Sequence, residues 1–356
     1  MNTTIPEQAS SDAHFVTARP YPPSWIDRLL RWMRSLPVPV PVVLIGIWVA
    51  LVATVHLTVW HEGILPRWRI DQRVLLINTW IPYSLGLIYY LEKTAGDAVA
   101  AFRPALNLAD DAFSNLRYEF TVLPWRGTLI GTILGMLLAL FSVRAFPEVA
   151  SPFMDTRLAA FVNTTLSMFG SAFIFAAIYL TYRQLRLIRQ TYARAERLDL
   201  FRSGELYAFS ALTLRMGIGW LIVVYAGVLF FPALVRNIPW TMTTSLVLAV
   251  VAVSFVTTLF DIHRRIGAVK EDYLTEINGR LQAAFAELHR RIDAEEVGAL
   301  APLREVMDAL LVERGVVEKL PTWPWQSGTL AGFMAAVLLP LIVWGVQLLV
   351  QQVFGL

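Results

Sequence analysis

Four polar side chains lie deep in long apolar segments of this chain, where they could do chemistry inside a membrane: His56, Asn78, Asn163 and Gln347. No Asp, Glu or Lys lies at a comparable depth, since Glu92 and Asp261 fall near the ends of such segments. Carriers coupled to protons or sodium usually hold an ionisable group at mid-membrane, so this pattern argues against ion coupling. His56 is the best single candidate, although a hydrogen bond to a neighbouring helix explains a lone apolar-segment histidine better.

His56, His61 and Glu62 are the residues that a metal site could use. The two histidines are five residues apart, which places them on different faces of a helix, unlike the i, i+4 pair of a zincin. The chain has no cysteine, which excludes disulfides, thiolate catalysis and Cys-ligated metals. It also lacks a P-loop, a G-x-S-x-G elbow and an H-E-x-x-H motif. We therefore expect no metal, no cofactor and no enzymatic activity; a membrane enzyme built on His56 is the weakest hypothesis.

Glycines at four-residue spacing are the most specific local signal. Gly127, Gly131 and Gly135 share one helix face, so another backbone can approach closely. We expect this packing within one subunit, with packing between subunits or around a pore as the alternatives. The last apolar segment begins in the same way, with Gly328 and Gly332 after a Pro-Trp pair. Convergence explains this likeness better than an internal duplication does.

The elements that would position these residues are membrane helices. The chain has 356 residues, of which 56% are hydrophobic and 16% charged, whereas soluble domains are about a quarter charged. The apolar residues are gathered in blocks of roughly 20, the length that crosses a bilayer core. The fold class is therefore an all-α polytopic integral membrane protein with about seven transmembrane helices. The predicted spans are 42–60, 73–92, 127–147, 158–182, 212–235, 241–262 and 328–353.

The orientation follows from the 30 Lys and Arg residues. When alternate loops are assigned to opposite sides, the great majority fall on one side, which should be cytoplasmic. This places the N-terminus inside and, with seven spans, the C-terminus outside a plasma or inner membrane. Tryptophans at the ends of the spans are typical of interfacial belts.

The chain divides into five predicted regions: a disordered tail (1–20), a basic amphipathic interfacial helix (21–36), a six-helix membrane region with cytoplasmic helical insertions (37–262), a cytoplasmic helical hairpin (263–320) and the seventh transmembrane helix (321–356). The interfacial helix has a capping box at Ser24 and Asp27, and its arginines lie opposite Ile26, Leu29 and Met33. A second amphipathic helix should run along the membrane near residues 102–123. The hairpin arms carry apolar stripes: Ile277, Leu281, Phe285 and Leu288 on the first, and Leu303, Met307 and Leu310 on the second.

The function expected from this organisation is a non-enzymatic sensory or scaffolding module. Much of the chain is cytoplasmic helix without catalytic residues, so the hairpin would be an output or docking surface. The alternative is a homo-oligomeric channel or uncoupled permeation protein, favoured by the glycine faces and the absent coupling carboxylates. The expected partners are the lipid bilayer, other copies of the chain and a cytoplasmic protein. Nucleic acid is excluded because no polybasic patch is present.

Overall fold

A computed structural model describes residues 19–145, 154–194, 208–230, 238–294 and 300–323. These residues are almost entirely helical, and no β-strand occurs among them, which confirms the all-α class. The helices are α1 (Trp25–Ser35), α2 (Val40–His61), α3 (Gln72–Ile77), α4 (Trp80–Phe102), α5 (Asp110–Thr121), α6 (Trp125–Ala145), α7 (Arg157–Arg194), α8 (Ser210–Phe230), α9 (Ile238–Asp293) and α10 (Leu300–Lys319). A short 3-10 turn, Arg103–Ala105, follows α4.

Four stretches of the described chain are long and apolar enough to cross a membrane: α2, Gln72–Ala105, α6 and α7. They correspond to the first four predicted spans, and α8 contains a shorter apolar run, Ser210–Val223. The predicted seventh span, with Gly328, Gly332 and Gln347, lies outside the described residues. A membrane protein is therefore supported, and the total of seven spans stays a prediction.

The second predicted span, 73–92, is not one continuous helix and does not end at residue 92. It is broken at Asn78 and Thr79 into α3 and α4. Pro82 explains the break, because its ring clashes with the carbonyl four residues earlier and it has no N–H to donate. Beyond residue 92, α4 continues to Phe102, where Pro104 prevents a longer helix. This extension places Glu92 in the interior of a helix, whereas the sequence pattern predicts the helix end there.

Helix α7 lies at the centre of the bundle. It packs against α2, α4, α5, α6 and α9, and α4 also contacts α2, α5 and α8. The core between α4 and α7 includes the fully buried side chains Ile88, Leu91, Leu180 and Ile188. The opposite side of α6 remains exposed through Ile130, Leu134, Leu137 and Phe141, an apolar surface that suits contact with lipid.

Helix α1 packs on this bundle. Its apolar side chains Ile26, Leu30 and Met33 are buried in the main core, and burial of each stabilises by roughly 1.5–3 kcal/mol. Protein covers these three side chains, and a position of α1 at the membrane interface stays a prediction. The predicted capping box is confirmed: the Ser24 hydroxyl accepts from the Asp27 N–H, and the Asp27 carboxylate accepts from the Ser24 N–H.

Helix α9 is 56 residues long, which corresponds to about 84 Å. This length exceeds a bilayer core of roughly 30 Å, so most of α9 projects beyond any membrane that its first part crosses. Helix α10 returns along the projecting part. The two arms share a small core of Ile277, Leu281 and Val317, with Leu310 packed against it. Four members of the predicted stripes lie outside this core: Phe285 is exposed, and Leu288, Leu303 and Met307 are only partly buried.

Candidate functional site

His56, the best sequence candidate, is buried and holds the loop that follows α2. Its Nδ1 lies 2.9 Å from the Val52 carbonyl, and its Nε2 accepts from the Asp71 N–H at 3.1 Å. A neutral imidazole has one donor and one acceptor nitrogen, so Nδ1–H donates to Val52. Trp60 Nε1–H reinforces this loop by donating to the Arg69 carbonyl at 3.0 Å. Both ring nitrogens of His56 are therefore engaged with backbone groups in a structural role.

The other intramembrane polar candidates hydrogen-bond within their own helices. The Asn78 amide donates to the Val74 carbonyl at 2.8 Å, and the Asn163 amide donates to the Ala159 carbonyl at 3.0 Å. These bonds link each amide to the turn before it. His61 and Glu62 contact each other at 3.3 Å, and within the described residues no three His, Asp or Glu side chains come together as a metal site.

The glycine face of α6 lies directly against α7. A Cβ on Gly135 would lie 2.6 Å from the Ser171 carbonyl oxygen, and one on Gly127 would overlap the Tyr179 hydroxyl. At Gly131 the nearest atom, the Phe175 carbonyl oxygen, would be 3.5 Å away, an ordinary contact. The close approach of backbones is therefore greatest at Gly135. The face is occupied by a helix of the same chain.

A buried polar cluster joins α1 to the bundle at its Arg-rich end. We call it the α1 docking network; its members are Tyr21, Ser24, Asp27, Arg34, Glu92, Tyr118, Arg183 and Gln184. The sequence pattern identifies only the Ser24 cap and places Glu92 at the end of a span. The members come from several separate helices, and only the folded chain brings them together.

The deepest charge in the network is Glu92 of α4. Glu92 is 5% exposed, and one of its carboxylate oxygens accepts a hydrogen bond from Arg34 Nη2 at 2.6 Å. The other oxygen, Oε1, has no hydrogen-bond partner in the part of the chain that the structure describes. Asp27 is a second carboxyl close enough to act on Glu92 electrostatically. A buried charge is costly unless it is paired, so Arg34 fixes the end of α1 against α4.

Asp27 serves two elements at once. One oxygen accepts from the Ser24 N–H at 2.7 Å, within the cap of α1, and the other accepts from the Leu123 N–H at 3.2 Å, between α5 and α6. The Ser24 N–H also donates to the Leu123 carbonyl at 3.0 Å. Burial raises the pKa of Asp27, and the hydrogen bonds from Ser24 and Leu123 oppose that rise.

Tyr21 ties the start of this region to α5 and α7. Its hydroxyl donates to the Val122 carbonyl at 2.8 Å and accepts from Arg183 Nη2 at 2.8 Å. The Tyr118 hydroxyl donates to the Tyr21 carbonyl at 2.9 Å. Burial raises the pKa of Tyr21, so the phenol stays protonated and can donate. Gln184 completes the link by donating to the Phe120 carbonyl at 3.1 Å.

The chemistry of this network is positioning and charge compensation. Its carboxyls are held by a helix cap and a guanidinium, and the phenols donate to backbone carbonyls. An ionisable side chain buried between membrane helices is a candidate functional group, which singles out Glu92. The sequence pattern does not identify Glu92 as buried, because Lys93 and Asp97 suggest a loop where α4 in fact continues to Phe102.

The hairpin is fastened at its base by a lysine. Lys270 Nζ donates to the Glu318 carbonyl at 2.7 Å and to the Leu320 carbonyl at 3.0 Å, at the end of α10. An ammonium group there satisfies carbonyls that have no partner in the helix and favours the negative end of the helix dipole. Nearby, the His263 ring stacks on Trp323 with centroids 4.3 Å apart. The second arm is thus held where α9 leaves the bundle.

In comparisons with known proteins, no family model, curated protein or solved structure matches this chain.

Proposed function

We propose that this chain is a non-enzymatic membrane module, sensory or scaffolding, with the hairpin of α9 and α10 as its output or docking surface. The observation that carries the proposal is the continuity of α9. One helix of 56 residues joins a predicted span to the projecting hairpin without a break. A displacement or rotation of its membrane end would therefore reach the hairpin directly.

The surface of the hairpin supports a docking role. Its base is packed and fastened, yet several large apolar side chains remain exposed: Phe285, Ile292, Val306, Leu311, Val312 and Val316. Exposed apolar groups on a projecting element suit contact with another protein. We infer a cytoplasmic partner, or a second copy of the chain, that presents an apolar face to α10.

The proposal includes a membrane topology for the whole chain. Seven spans in a plasma or inner membrane place the N-terminus and the hairpin in the cytoplasm and the C-terminus outside, as the distribution of Lys and Arg indicates. On this arrangement α5 lies along the inner membrane surface, and the α1 docking network lies at the inner end of the bundle. It would hold α1 on the helices from which the hairpin projects.

The alternative, a homo-oligomeric channel, has less support. It depends on the glycine face, which would have to pack around an axis between subunits. Gly127 and Gly135 instead leave no room beside α7 of the same chain. A channel would need a different face.

Site-specific photo-crosslinking in the native membrane tests the docking role. A photo-reactive residue at Val312, an exposed apolar position, should give a discrete adduct of defined mass. The same probe at Arg304, a more polar exposed position of α10, is the matched control and should give little. Loss of the Val312 adduct in a Leu281→Asp background would tie it to the folded hairpin. If Val312 gives no adduct while the purified protein in liposomes passes ions or small solutes, the channel hypothesis replaces this proposal.

A further inference from the structure

An open cleft of about 460 Å³ lies between α7 and α9, just beyond the bundle core. The described residues that line it include three guanidinium groups, from Arg186, Arg189 and Arg265, and one carboxylate, from Asp261. None of these residues belongs to the α1 docking network or to the core of the hairpin. The cleft therefore needs an explanation of its own.

The charges in the cleft are only partly compensated. Asp261 is 2.6 Å from Arg189 Nε, so these two groups neutralise each other. Arg265 reaches the Ala193 carbonyl only at 3.4 Å, and Arg186 makes no hydrogen bond or ion pair with any residue that the structure describes. Among the described residues of the lining, three positive charges less one negative charge leave a net charge of two positive.

The spacing of these residues suits the binding of one anion from both sides. Arg186 and Arg189 are three residues apart on α7, and Arg265 follows Asp261 by one turn on α9, so each helix presents one edge to the cleft. A guanidinium group offers a planar fork of donors that matches the oxygens of a phosphate. Gln190 adds a neutral amide to the same wall.

The position of the cleft along α7, relative to the apolar part of that helix, indicates the source of such an anion. On α7, Tyr182 is half exposed one turn before Arg186 and on the same face. Residues 186–193 then cover about 6–17 Å beyond Tyr182, whereas the headgroup layer begins where the apolar part of a span ends. The first turn of the cleft thus lies at the level of the lipid headgroups, with Tyr182 suited to the interface.

We propose that this cleft binds a phosphate-bearing anion, and that the anion is the headgroup of an acidic phospholipid. Basic pockets between helices on the cytoplasmic side are suited to such headgroups. A bound headgroup would bridge α7 and α9, the helix that continues into the hairpin. The proposal does not depend on what the hairpin binds.

The test uses the full chain in detergent, with thermal melting as the measure of binding. Dioctanoyl phosphatidylglycerol should raise the melting temperature of the wild type, and dioctanoyl phosphatidylcholine should not, because ligand bound to the folded state stabilises it. The variant Arg186→Gln/Arg265→Gln should bind the acidic lipid about thirtyfold more weakly, because two guanidinium groups no longer attract the headgroup. Arg189 is left in place because its removal would leave Asp261 without its partner.

The matched control is Arg280→Gln/Arg304→Gln, which removes the same charge from exposed positions of the hairpin. Its response to the acidic lipid should equal that of the wild type. An equal loss in both variants, or no loss in either, would overturn the proposal. Inorganic phosphate at the same concentration distinguishes the sources: a shift as large as that of the lipid would overturn the headgroup assignment. Arg186→Gln alone, which breaks no hydrogen bond or ion pair among the described residues, supplies the comparison if the double variant does not fold.

Discussion

Adding one methyl group to the glycine face of α6 should have opposite effects at two positions one helical turn apart, Gly131 and Gly135. At Gly135 the new Cβ would lie 2.6 Å from the Ser171 carbonyl oxygen and 3.0 Å from the Phe175 Cβ. Both atoms belong to a packed helix and cannot move independently. At Gly131 the nearest atom would be 3.5 Å away, so a methyl group fits.

The magnitudes follow from two opposing effects. Replacing a mid-helix glycine with alanine stabilises a helix by about 1 kcal/mol, whereas overpacking a close contact costs about 1–3 kcal/mol. Gly131→Ala keeps the first effect and avoids the second, so we expect it to stabilise by about 1 kcal/mol. Gly135→Ala must separate α6 from α7, and we expect a net loss of up to about 2 kcal/mol.

Melting of the purified full chain in detergent measures both substitutions. The melting temperature should rise for Gly131→Ala and fall for Gly135→Ala. The melting temperature of Gly127→Ala should lie between those two values, because the new Cβ would meet the hydroxyl end of Tyr179, a side chain that can turn away. Equal shifts at all three positions, or a higher melting temperature for Gly135→Ala, would refute the close contact between α6 and α7.

Four further predictions concern other parts of the molecule. Arg34→Met should destabilise by about 2–3 kcal/mol in detergent melts, because Glu92 would stay buried without its partner; adding Glu92→Leu should restore stability, and no rescue would contradict the pairing. Burial raises the pKa of Asp27 above its ordinary 3.8, so the stability it contributes is present below the unfolded pKa and lost as pH rises through the folded pKa. In Asp27→Asn the melting temperature should change less with pH across that acid range than in the wild type. An equal change with pH in both proteins would assign the pH dependence to another group. Leu281→Asp places a charge in the core between the hairpin arms and should speed limited proteolysis of the hairpin while the bundle stays intact; equal cutting in variant and wild type would show that the arms do not depend on this core. A reporter active only in the cytoplasm, fused after Leu356, should be silent, and activity would mean that the number of spans is even.

Local sequence features were sufficient to identify the class of protein and its main helices. Continuous apolar blocks and their length predicted helices that cross a membrane, because only those segments can satisfy their backbone inside lipid. The capping box at Ser24 could also be identified, since it depends on neighbouring residues. Local chemistry and spacing are sufficient for features of this kind.

Which helix faces meet and which charges are buried depends on how distant segments of the chain pack together. The apolar face of α1 could equally have met lipid or protein, and only the packed bundle assigns it to protein. Glu92 resembles the end of a span because charged residues follow it, yet α4 continues and Arg34, 58 residues earlier in the chain, compensates its charge. Likewise, the cleft between α7 and α9 joins arginines that are remote in sequence. Such pairings depend on contacts between distant segments, and periodicity within one segment carries no information about the partner that its face will meet.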